Sequence, residues 1–89
     1  IYIGSDNSSR RISKSYLKKI QDWASALFPE GYTLFKGRGY YNGESEESVI
    51  INVFCEQALC LKHHLERLKR ELKQEAILLV KSSVETEVL

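Results

Sequence analysis

Eighty-nine residues, 43% hydrophobic and 28% charged, suit one small folded domain over residues 1–89 and are not the composition of a disordered chain. Thirteen Lys/Arg against twelve Asp/Glu leave a net charge of +1, so no nucleic-acid polymer is expected as a partner. No apolar run approaches the ~20 residues of a membrane span. No secretory signal pattern is seen, and Cys55 and Cys60 are too few for a disulfide framework. The expectation is a cytoplasmic protein whose two cysteines are buried free thiols.

In chain order, Ile1 to Ser5 reads as a short strand ending at Gly4, and Asp6 to Arg11 as a polar loop. Ser13 is a fitting helix N-cap. Tyr16, Leu17, Ile20, Trp23, Ala24, Leu27 and Phe28 follow at steps of three and four, the spacing of an amphipathic helix. Pro29-Glu30-Gly31 stops that helix. Tyr32 to Tyr41 reads as a strand interrupted by Gly37 and Gly39, and Asn42-Gly43 is a strong hairpin turn signal. Glu46 to Cys55 is the returning arm, with Val49, Ile51 and Val53 on one face. Ala58, Leu61, Leu65, Leu68 and Leu72 mark a second helix. Ala76 to Val80 is continuously apolar, as a strand covered on both faces would be, and Val84 to Leu89 alternates like an edge strand. The order β-α-β-β-α-β is the ferredoxin-like arrangement, an antiparallel sheet with both helices on one face.

The chemistry in these elements is that of binding. Gly37-Arg38-Gly39 lies inside a hairpin arm and not between a strand and a helix, which excludes a dinucleotide fingerprint. His63 and His64 are adjacent on a helix and point about 100° apart, so they do not clamp one metal. Ser8 and Ser9 have no evident His-Asp partners, and Glu44, Glu46 and Glu47 read as a charged hairpin edge. No catalytic residue, metal site or cofactor is expected. Charge is uneven, however: residues 1–41 carry seven Lys/Arg and three Asp/Glu, and residues 42–89 carry six and nine. That imbalance fits an anionic ligand near the first half, and equally a solvated lysine-bearing helix face.

Arg10 and Arg11 lie where the chain enters the first helix, whose N-terminus itself favours an anion. Arg38 offers a planar fork for phosphate or carboxylate, and Tyr40 or Tyr41 a flat surface for a base. Alternation puts Arg38 and Tyr40 on one face and Tyr41 on the other, with Gly37 and Gly39 leaving Tyr41's face open. A packing Tyr41, a bulge at the glycines and a solvated Arg38 would account for the same residues. Gly39, Asn52 and Gln74 are further candidates, for close backbone approach and for polar contacts.

The stretches "IYIG", "FPEGYTLFKGRGYYNG", "EES" and "QEAILLV", in this order and spacing, resemble a family of small bacterial and phage domains of unknown function. The matching positions are Phe28 to Thr33, Gly37 to Tyr41 and Gln74 to Ile77. The same pattern is similar to the first type of phage anti-Thoeris proteins. That resemblance implies an oligomeric, non-enzymatic sponge that sequesters cyclic ADP-ribose in the bacterial host cytoplasm. The other reading is a protein-interaction or structural module acting through its sheet edge or an apolar face. In either, a homodimer or larger homo-oligomer is expected, with the terminal strand pairing between subunits.

Overall fold

Segments with an apolar period of two extend, and those with a period near 3.6 coil. The elements are β1 (Tyr2–Gly4), α1 (Lys14–Leu27), β2 (Thr33–Tyr41), β3 (Glu44–Asn52) and α2 (Lys62–Glu71). The computed structural model describes residues 1–5, 10–55 and 60–89. Ser8, Ser9 and the rest of the loop from Asp6 to Ser9 lie outside the described residues, as do Ala58 and the side chain of Tyr41.

Ser13 caps α1: its backbone is extended and its hydroxyl accepts the Tyr16 N–H at 3.2 Å. The helix ends at Phe28, whose N–H reaches the Ala24 carbonyl at 2.8 Å, and Trp23 stands edge-on to Phe28 with ring centroids 5.9 Å apart. Asn42 and Gly43 both take positive φ, 51° and 77°, the condition for the two-residue turn that matches strand twist. From Thr33↔Asn52 to Tyr41↔Glu44 the hairpin register runs unbroken. Gly37 and Gly39 therefore do not mark a bulge, and β3 starts at Glu44 directly after the turn and stops at Asn52.

The sheet is antiparallel with order β1-β3-β2. Ile1, Ile3, Val49 and Ile51 form its buried face. Tyr16, Ile20 and Ala24 of α1 and Leu65 and Leu68 of α2 join them in one core, so both helices cover the same face. β3 is central only where β1 reaches it, from Ser48 to Ile50; Glu44, Glu46 and Glu47 lie on its extension beyond β1. There β3 pairs with β2 alone, and the carboxylates hold the neighbouring loop and helix entry.

After α2 the chain returns beside β1. Tyr2 and Leu78 exchange two backbone hydrogen bonds, of 2.8 and 3.1 Å, in an isolated antiparallel bridge. The Ala76–Val80 run is thus neither a ladder nor covered on both faces. Its neighbour β1 is only three residues long, Ile77 and Leu79 turn to the core, and Leu78 and Val80 are exposed. Residues 84–89 form no edge strand; they are exposed throughout. Cys55 and Cys60 are also exposed, since β3 ends before the first and α2 begins after the second. Among the described residues no helix is long and apolar enough to cross a membrane.

Candidate functional site

The hairpin register sets the site's geometry. Residues paired across antiparallel strands share a face, so Arg38 with Glu47, and Tyr40 with Ser45, stand on the helix-side face beyond the packed core. Arg38 Nη1 donates to Ser45 Oγ at 3.3 Å, and Tyr40 is 74% exposed. On the other flank of β3, the Arg10 carbonyl accepts the Glu47 N–H at 3.1 Å. The backbones of Arg10 and Arg38 thus flank one central strand, about 10 Å apart at ordinary strand spacing.

The chain already supplies anions here. Arg10 Nη2 lies 2.7 Å from Glu44 Oε2, and Glu47 Oε1 accepts the Ile12 N–H at 3.1 Å at the entry to α1. The helix-entry position that Arg10 and Arg11 were expected to offer a phosphate holds a carboxylate of the protein itself. Arg11 is exposed beside it. Glu46 turns the other way and accepts the buried Ser5 hydroxyl at 3.2 Å.

Gln74 belongs to this end of the molecule for a reason that lies in α2. Lys73 adopts φ 55°, the Lys73 N–H meets the Arg70 carbonyl at 3.2 Å, and the Gln74 N–H meets that of Lys69 at 2.9 Å. This paired closure of a helix end is the Schellman motif. It aims Gln74 Nε2 at the Ser5 carbonyl, 2.7 Å away. Gln74 is therefore a strap between α2 and the end of β1, and its amide is already committed. Asn52 is at the far end of β3, paired with Thr33. Five residues of strand, roughly 17 Å, separate it from Glu47, so it shares no site with Arg38.

The structure brings Arg10, Arg38, Gly39 and Tyr40 to the hairpin end and leaves Asn52 outside; the Tyr41 backbone is there, paired with Glu44. Comparison with protein families, with characterised proteins and with solved structures finds no match to this chain. The reading of the site rests on its own chemistry.

Sequence reasoning missed Ser5, Ile12 and Glu47 as the hydrogen-bonded frame of this end. Glu47, two residues before the apolar run of β3, was the available signal, and it was read as part of a charged hairpin edge. His63 and His64 are ring neighbours, 5.7 Å between centroids at 68°, and among the described residues no group of three His, Cys, Asp or Glu is placed to hold a metal. On α2, the hydrogen bond from Lys69, at 3.1 Å, holds the exposed Glu66 carboxyl below its ordinary pKa.

Proposed function

We propose that this chain is a small non-catalytic binding protein that captures an anionic nucleotide-like molecule, cyclic ADP-ribose or a related cyclic nucleotide, on the helix-side shelf of its hairpin. The carrying observation is that Arg38 and Tyr40 stand two residues apart on one face, both exposed, at the end of a rigid nine-residue ladder. A guanidinium fork and an aromatic plane at that spacing suit a phosphate joined to a base. The reading includes a ferredoxin-like architecture. The Tyr2–Leu78 bridge lies where the fourth strand of that arrangement would pair with β1, and antiparallel, as it requires. It also includes the bacterial host cytoplasm and the anti-defence role implied by the resemblance of Phe28–Thr33, Gly37–Tyr41 and Gln74–Ile77.

The test is a thermal-shift panel of cyclic ADP-ribose, cyclic mononucleotides, linear nucleotides and inorganic phosphate. A ligand at 100 times its Kd adds about 2.7 kcal/mol to stability, a plain shift for a domain of this size. A flat panel sinks the reading. An intact cyclic compound recovered after incubation separates capture from hydrolysis. A second reading, a protein-interaction module, is favoured by one separate observation: the exposed Tyr2, Phe35 and Leu78 on the sheet face away from the helices.

A further inference from the structure

That uncovered face has an order of its own. Phe35 pairs with Ile50, Ile50 with Tyr2, and Tyr2 with Leu78. Paired residues share a face, so four apolar side chains stand in one row across the sheet, about 14 Å long at ordinary strand spacing. Tyr2 is 45% exposed, Phe35 43% and Leu78 60%, with Ile50 half-buried between them. Scattered exposed apolar residues need no explanation, but a continuous row does.

The surroundings restrict what covers it. Toward the hairpin the next row is Gly37, Ser48 and Gly4, all small; on the other side are Thr33 and Asn52, both uncharged. Lys36 and Arg38 alternate to the helix side. Among the described strand residues, the charges on the open face are Glu46 and Glu44, further along β3. A nucleic acid or an anionic bilayer would meet the Glu46 carboxylate there, and a Glu44 whose own partner is Arg10 at 2.7 Å.

We infer that this face is covered by a second copy of the chain, sheet on sheet, about a two-fold axis lying along the apolar row. That axis sets each of the four apolar residues against its own counterpart. It lays Thr33 and Asn52 of one copy over Gly37 and Ser48 of the other, beside Gly4, which the Glu46 and Gln74 side chains cover. It sends the two Glu46 carboxylates to opposite ends of the interface. An axis parallel to the strands would bring both hairpin ends, and all four Glu44 and Glu46 carboxylates, together. The row exposes on the order of 300 Å² per copy, less than half of the roughly 800 Å² per partner in a standard interface, so a dimer needs the flanks as well. The result is an isologous dimer of moderate strength. Arg38 and Tyr40 sit on the opposite face, so assembly and ligand capture respond to different substitutions.

Sedimentation equilibrium of the full chain, from tens to hundreds of micromolar, tests this. The expected result is a dimer for the wild type, monomers for Phe35→Lys and Phe35→Glu alone, and a restored dimer on mixing the two, because the axis sets the introduced opposite charges face to face. Circular dichroism checks that each variant is folded. Leu78→Lys with Leu78→Glu repeats the test at the most exposed member if Phe35 proves necessary for folding. A monomeric wild type overturns the inference, and amide shifts in residues 84–89 on Phe35→Lys would then name the chain's own tail as the occupant. A dimer that survives both single variants overturns it, as does a folded monomeric pair that fails to recombine.

Discussion

Lys73 occupies the position at which a helix most often hands over to glycine. Its φ of 55° is in the left-handed region, which costs a side-chain-bearing residue roughly 1 kcal/mol, and the motif needs only its backbone. Lys73→Gly should raise stability by about 0.5–1 kcal/mol in urea unfolding; an unchanged or lower midpoint would contradict the strain. Arg38 stands at the other extreme, because its hydrogen bond to the Ser45 hydroxyl, at 3.3 Å, lies in solvent. Arg38→Ala should leave the unfolding midpoint nearly unchanged. It should weaken capture of an anionic ligand by about 1.5–3 kcal/mol, read by calorimetry. Equal affinity in both proteins removes Arg38 from the site. Single residues were legible where their signal is local: Ser13 caps because its hydroxyl meets an N–H three residues on, and Asn42-Gly43 turns because both tolerate positive φ. Arg10 and Glu47 were not legible. Their partners, Glu44 and Ile12, are more than thirty residues away in sequence.

Elements stand on the stripes they bury. Leu68 of α2 is fully enclosed, and Ile20 of α1 likewise. Leu68→Ala should cost about 2–5 kcal/mol, the transfer of the lost methyls plus a cavity. Ser13→Ala removes only the cap and should cost about 1 kcal/mol. Chemical denaturation orders them, and the reverse order would mean that α2 packs less firmly than its burial indicates. Both helices were readable from spacing alone, since a 3.6-residue period has no other use. The apolar run after α2 misled for an equally physical reason. Five apolar residues look alike in a central strand and beside a neighbour too short to pair with them. β1 offers that segment three residues, and one bridge is all that forms. The cysteines misled because thiols count as apolar by type, whereas here both fall in the connection between β3 and α2.

At the scale of the molecule, one strand joins everything: β3 carries the hairpin on one flank and β1 on the other. The β2–β3 hairpin is local in sequence, and its closure needs a two-residue loop. The Tyr2–Leu78 bridge closes a loop of nearly the whole chain, the most expensive closure in entropy and the one repaid by the fewest hydrogen bonds. Contacts of that separation form late on the folding pathway, after the hairpin and α1 have given β1 a surface to join. They also open first. In native-state hydrogen exchange the amides of Tyr2 and Leu78 should exchange by local opening, well ahead of Ile51 in the central strand; equal protection would mean that the ends and the centre unfold as one unit. On that order the last segment is a latch, swung shut after the body is built, and opening it would leave the β2–β3 hairpin whole.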